Sequence, residues 1–183
     1  AVSLGWSRDA IEKTVLTDSY RISSSVVSER VPGYVDFGDR LVLDQYRANT
    51  ILDDAGWKVG ADGIRVDDQG RRLSLELLAI DNLVVNRPSF EQIQQDLRKV
   101  GVELKLTVLP IPDYKAAEKQ VERWNIQVFN TSRADIGVLE QTYSPLFTNS
   151  SRIQPEDPAR DRTVEVLRAV NETLDPQQRA DAA

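Results

Sequence analysis

The chain contains no cysteine, no histidine and no methionine. The absence of cysteine excludes a disulfide framework, a thiol nucleophile and a thiolate metal site. The absence of histidine removes the imidazole general base and the commonest transition-metal ligand. Serine–histidine hydrolases, cysteine proteases and most zinc enzymes are therefore excluded for this chain alone, and we expect no cofactor and no bound metal. Catalysis by carboxylate, lysine or tyrosine side chains remains open.

Long apolar runs and an excess of positive charge are also missing. No run approaches the ~20 residues that a membrane span requires. The net charge of −6 argues against binding to nucleic acid or to an anionic membrane surface, so we expect a neutral, cationic or zwitterionic partner. The 183 residues suit one domain, and without an initial methionine or a signal peptide they are expected to be a segment of a longer protein.

Helix signals are clear in the first part of the chain. Ser7 is predicted to cap a short helix, and Asp44 to cap a second helix that Gly56 ends. The buried side of the second helix is predicted to comprise Tyr46, Ile51, Leu52 and Ala55.

Apolar periodicity then predicts a sheet. Residues 64–66 and 73–80 indicate an antiparallel hairpin. A helix over 90–100 precedes an alternating strand over 102–108, which predicts a βαβ unit with parallel strands. We therefore expect an α/β fold: a mixed sheet with a βαβ unit flanked by helices, in one domain over residues 1–183. Further elements are predicted as a helix over 113–123, a strand over 125–129 and helices over 157–174 and from 176 onward.

Paired carboxylates are visible candidates for general acid–base catalysis. General acid–base chemistry needs two carboxylates in one pocket, with pKa values driven apart. Predicted positions in a turn and on a helix flank favour ordinary solvated charge instead. The pairs are Asp53 with Asp54, Asp67 with Asp68, and Asp157 with Asp161.

A polar run directly after the strand predicted over 125–129 is the better candidate for a binding site. In open α/β sheets, ligands lie just beyond the carboxyl ends of strands. Asp135 could accept an ammonium group and Arg133 could bind a carboxylate, while Asn130, Thr131 and Ser132 could bind a peptide backbone. A loop that merely faces water explains the same pattern equally well.

Several motifs occur in the order typical of one family. The chain resembles the family 5 extracellular solute-binding proteins, which serve ABC importers of peptides, nickel chelates and some sugars. Ser7 stands where that family usually has aspartate, and Asn130 and Thr131 stand where it has a tryptophan before the ligand-binding acid, which maps to Asp135. The similar segments are residues 7–11, 31–36, 48–57, 62–65, 93–97 and 101–104.

The resemblance implies the C-terminal lobe of a two-lobed protein with a type II periplasmic-binding-protein fold. It further implies a substrate-binding component, not an enzyme, that captures peptides or similar solutes outside the cytoplasmic membrane by closure of two lobes. Its partners would be the solute, ABC permease subunits and the N-terminal lobe. Its location would be the periplasm, or the cell surface as a lipoprotein. Two alternatives stay open: a standalone interaction module and a small carboxylate-dependent enzyme.

Overall fold

A computed structural model shows two compact units. The first, which we call the sheet unit, comprises Ala1–Ile22 and Asp39–Phe129; the second unit comprises Ser23–Gly38 and Asn130–Ala183. The residues that the structure describes are 1–17, 22–25, 27–31, 34–82, 85–128, 158, 160–173, 175, 178 and 181. Among the described helices, none has the length and apolar character needed to cross a bilayer.

The helices and strands are named in chain order. They are α1 (Arg8–Ile11), α2 (Gln45–Asp54), β1 (Lys58–Val59), β2 (Arg65–Val66), β3 (Ser74–Ile80), α3 (Asn86–Lys99), β4 (Glu103–Leu109), α4 (Ile111–Ala117), β5 (Ile126–Val128) and α5 (Arg160–Glu172). All of them except α5 belong to the sheet unit.

A three-stranded parallel sheet in the order β4-β3-β5 forms the centre of the sheet unit. Side chains alternate across the central strand. Leu77 and Ala79 pack with residues of α2 and α3 on one face of the sheet. Leu78 and Ile80 pack with Tyr114 of α4 on the other face. Helices therefore cover both faces, and the predicted βαβ unit with parallel strands is confirmed.

The predicted helix ends are confirmed at the atomic level. Ser7 Oγ accepts the Ala10 backbone N–H at 3.0 Å, and Asp44 Oδ1 accepts that of Arg47 at 2.8 Å. Gly56 has φ +86, a left-handed conformation that glycine adopts without steric cost. The following residue, Trp57, donates its N–H back to the carbonyl oxygen of Leu52 at 2.9 Å.

The predicted hairpin is confirmed next to its turn but not over 74–80. Val66 forms an antiparallel bridge with Arg72, and the Leu73 N–H donates to the carbonyl oxygen of Arg65 at 2.8 Å, while β2 also pairs antiparallel with β1. β3 cannot serve as a hairpin partner because parallel strands occupy both of its edges. The helix predicted over 113–123 is also shorter than expected: α4 spans Ile111–Ala117, and a separate 3₁₀ turn covers Val121–Arg123.

The predicted buried face of α2 is only partly correct. Leu52 is buried together with Ala48, one helical turn earlier, and both pack into the core. Tyr46 is 85% exposed and Ile51 39% exposed, and Ala55 is exposed as well. At about 100° per residue, Tyr46 lies roughly 200° around the helix axis from Ala48, so both cannot face the core.

The second unit is described by a loop and one helix. Val27 and Val31 are buried and pack with Tyr34, whose hydroxyl lies 2.7 Å from Ser24 Oγ. In α5, Leu167 and Val170 are buried three residues apart, which gives that helix one apolar side.

We expect Asp96→Asn in α3 to flatten the dependence of the unfolding free energy on pH between about pH 5 and pH 2. Burial acts to raise the pKa of Asp96, but hydrogen bonds from Lys99, the Ser7 backbone and Gln92 outweigh it and lower that pKa. Because the unfolded-state pKa is about 3.9, the carboxylate stabilises the fold above that value. The stabilisation is lost as pH falls through the lower folded-state pKa. Urea unfolding across this pH range measures the effect, and the exposed Gln95→Ala is the control, which should keep the wild-type dependence on pH. Equal dependence on pH in the wild type and Asp96→Asn would contradict the expectation.

Candidate functional site

Among the described residues of the sheet unit, the guanidinium of Arg65 makes the most side-chain hydrogen bonds, and Arg65 is 2% exposed. Its Nε donates to the carbonyl oxygen of Val100 at 2.9 Å, and its Nη2 donates to Asn49 Oδ1 at 2.8 Å. Its Nη1 donates to Asp53 Oδ1 and to the carbonyl oxygen of Trp57. We call Arg65 and these four partners the Arg65 cluster.

The Arg65 cluster is a structural junction. It joins α2, β2 and the end of α3, and each guanidinium nitrogen is already engaged by the protein itself. Gly101 has φ +79, and a Cβ there would lie 2.6 Å from Arg65 Cγ, so the backbone packs directly against the arginine stem. A ligand would have to displace these contacts. We therefore interpret residues 48–57 and 62–65 as segments that stabilise the fold, and not as a binding site.

The carboxyl groups of the described residues do not form an acid–base pair. Asp53 belongs to the Arg65 cluster, and Asp67 accepts the Gln69 and Arg71 backbone N–H groups of its turn. An arginine hydrogen bond, from Arg72, is the main cause of the lowered pKa of Asp62. The described carboxyl groups with a shifted pKa all shift downward, whereas a general acid at neutral pH requires a raised pKa. They are Asp36, Asp62, Asp67, Asp96 and Glu103.

The topology of the sheet indicates where a ligand would bind. The chain passes from the central β3 to the edge strand β4, and then returns past β3 to β5 on the opposite edge. α3 and α4, which make these two connections, pack on opposite faces of the sheet. The order therefore reverses between β3 and β5, and ligands of open α/β sheets bind beyond the carboxyl ends of strands at such a switch point.

The described residues at this carboxyl edge are polar or exposed. Asp81 and Asn82 directly follow β3, and both are exposed. Ile111, which follows β4 after one proline, is 51% exposed. Asp81 and Asn82 are not among the residues that the sequence pattern selects as a site. Their position immediately after a buried strand is the signal that could have identified them.

The five residues predicted to bind the ligand lie outside the described residues. They are Asn130, Thr131, Ser132, Arg133 and Asp135. β5 ends at Val128 with its Cα paired in register with Ala79 of β3, so the run begins in sequence two residues after the carboxyl end of that strand. Asp157 is likewise outside the described residues. Among those that are described, no three histidine, cysteine, aspartate or glutamate side chains are grouped so as to hold a metal ion.

Comparison with known families gives one match. The family described as bacterial extracellular solute-binding proteins, family 5 Middle, matches residues 1–154. None of the curated proteins is similar enough in sequence to count as a match.

Solved structures share the fold over nearly the whole chain. NikA from Brucella suis, in complex with Fe(III)-EDTA, has a TM-score of 0.78 at 21% identity and covers 99% of this chain and 36% of its own. MelB from Agrobacterium fabrum, in complex with stachyose, has a TM-score of 0.81 at 18% identity, and the match covers 99% of this chain and 29% of MelB. AppA from Bacillus subtilis, in complex with a nonapeptide, has a TM-score of 0.70 at 18% identity and covers 99% and 36%. The chain thus spans about a third of the length of these proteins, and at such identities the similarity shows the fold alone.

Proposed function

Since the chain belongs to the bacterial extracellular solute-binding proteins of family 5, we propose that it is the ligand-binding lobe of the substrate-binding component of an ABC importer. The full-length protein captures peptides or similar small solutes outside the cytoplasmic membrane, in the periplasm or as a surface lipoprotein. It acts by closing two lobes around the solute, and the loaded protein is recognised by the permease subunits. The observation that carries the proposal is the family match over most of the chain.

Peptides are the proposed solute because of the residues that follow β5. Asp135 suits the ammonium end of a zwitterion and Arg133 the carboxylate end, while Asn130, Thr131 and Ser132 suit amide groups between them. This run follows a strand that borders the switch point of the sheet, where ligands bind in folds of this type.

A carboxylate-dependent enzyme is the less supported alternative. It requires two acids in one pocket, one of them with a raised pKa. Where the pKa of a described carboxyl group is shifted, it is lowered.

The proposed function is tested with the full-length protein, freed of bound solute by unfolding and refolding. We expect it to retain peptides from a tryptic digest of casein, detected by native mass spectrometry, and to retain neither stachyose nor Fe(III)-EDTA. A charged hydrogen bond contributes about 1.5–3 kcal/mol, so Asp135→Asn should weaken peptide binding about tenfold or more. The matched control, Asp68→Asn, lies in an exposed turn and should bind as the wild type does.

The separate chain of residues 1–183 should bind the same peptides only weakly, with a Kd on the order of millimolar or higher, because pockets bury most of a ligand's surface. Retention of stachyose or Fe(III)-EDTA in place of peptides would overturn the peptide assignment. Retention of no solute by the full-length protein would contradict the binding function itself.

A further inference from the structure

The β3 side of the switch point has a carboxylate that the proposed binding residues do not include. The backbone N–H of Asp81 donates to the carbonyl oxygen of Leu109, the last residue of β4, at 2.7 Å. This bond holds the residue beyond the carboxyl ends of two adjacent strands, while Asp81 itself remains exposed. Its carboxylate forms no ion pair within the part of the chain that the structure describes. The carboxylate therefore lies, without an ion pair to any described residue, at the edge where ligands bind in open α/β sheets.

Asn86, in the first turn of α3, contacts the residues on both sides of Asp81. Its Nδ2 donates to the carbonyl oxygen of Ile80 at 2.9 Å and to Asn82 Oδ1 at 3.2 Å. The residues immediately before and after Asp81 are thus both tied to one amide group. Two separate elements, β4 and α3, consequently determine where the Asp81 backbone lies.

We propose that Asp81 contacts the solute and that Asn86 is its positioning residue. A carboxylate at this place recognises a cationic group, so the ligand class is a solute with a primary ammonium, such as the amino terminus or a lysine side chain of a peptide. This inference rests on the proposed function and adds a contact from the sheet unit that the residues selected from the sequence do not include.

The test uses the full-length protein and the arginine-free peptides of the casein tryptic digest in two forms, one with free amines and one with all amines acetylated, so that acetylation removes every cationic group. With free amines, Asp81→Asn should weaken peptide binding about tenfold relative to Asp68→Asn, an exposed aspartate in the turn before β3. With acetylated peptides the difference between these two variants should disappear, because no ammonium remains for Asp81 to bind. Equal binding by both variants to the free-amine peptides would overturn the inference, and so would a difference that persists after acetylation.

Asn86→Ala tests the positioning role, with Ser89→Ala as its matched control. Ser89 lies in the same turn of α3 and donates its hydroxyl to the carbonyl oxygen of Val85 at 2.7 Å, whereas Asn86 donates to Ile80 and Asn82. Both variants should lower the Tm to a similar extent, and only Asn86→Ala should lose discrimination between free and acetylated amines. Unchanged discrimination in Asn86→Ala would contradict the role. If the wild-type protein retains no peptides at all, the proposed function fails instead.

Discussion

Arg65→Met is expected to destabilise the chain by about 3 kcal/mol, which is among the largest effects that we predict. The size follows from the groups that lose their partner. Asp53 is 62% exposed and water can solvate it, so the ion pair itself contributes little. The carbonyl oxygens of Trp57 and Val100 and the amide of Asn49 each lose a hydrogen bond next to the core, at about 1–3 kcal/mol for each group that stays unsatisfied.

Urea unfolding of the chain measures this effect, with Arg72→Met as the control. Arg72 is an exposed arginine that pairs with Asp62 and Glu103, and its loss should cost less than about 1 kcal/mol. If the two variants were equally stable, the Arg65 cluster would not be the junction described above. The motif residues within 48–65 would then need a role other than stabilising the fold.

Gly101→Ala is expected to cost a similar amount, about 3 kcal/mol, for two separate reasons. The left-handed conformation, with φ +79, costs a residue with a Cβ about 1–2 kcal/mol. The new Cβ would also lie 2.6 Å from Arg65 Cγ and 3.2 Å from the carbonyl oxygen of Gly63, and overpacking of this kind costs about 1–3 kcal/mol.

Gly70→Ala separates the two reasons. Gly70 has φ +76, close to that of Gly101, but a Cβ there would meet nothing within 4 Å. Gly70→Ala should therefore show only the conformational part, about 1–2 kcal/mol. Equal losses of stability for the two alanine variants in urea unfolding would contradict the close packing of Gly101 against Arg65.

Local chemistry explains why the sequence predicts much of the fold. Ser7, Asp44 and Gly56 act through hydrogen bonds or backbone angles within a few residues, so their roles can be read without knowing the rest of the structure. The βαβ unit is equally readable, because the periods of its helix and strands differ and its connections are short.

The predictions that failed depend on distant neighbours. A hairpin between residues 64–66 and 73–80 is locally reasonable, yet β3 pairs with β4 and β5, which lie about 30 and 50 residues further along the chain. The wrong face of α2 has the same origin. Apolar periodicity alone is consistent with several buried faces of α2. Packing against the core determines that the face with Ala48 and Leu52 is the buried one.

The candidate site illustrates how resemblance and structure contribute differently. The motif residues Asn49, Asp53, Trp57 and Arg65 support the family assignment, yet the structure assigns them a stabilising role. The polar residues 130–135 remain a prediction from their position after a strand. Asp81 occupies a comparable position after β3, and only the strand order shows that β3 borders the switch point.

The most direct test of where the solute binds is hydrogen–deuterium exchange of the full-length protein, followed by mass spectrometry, with and without the casein tryptic digest. We predict that peptides should protect the segments covering residues 78–88 and 125–136 and leave residues 48–66 unchanged. Protection of residues 48–66, with no change in the other two segments, would contradict the account. It would place the solute at the Arg65 cluster and not at the carboxyl edge of the sheet.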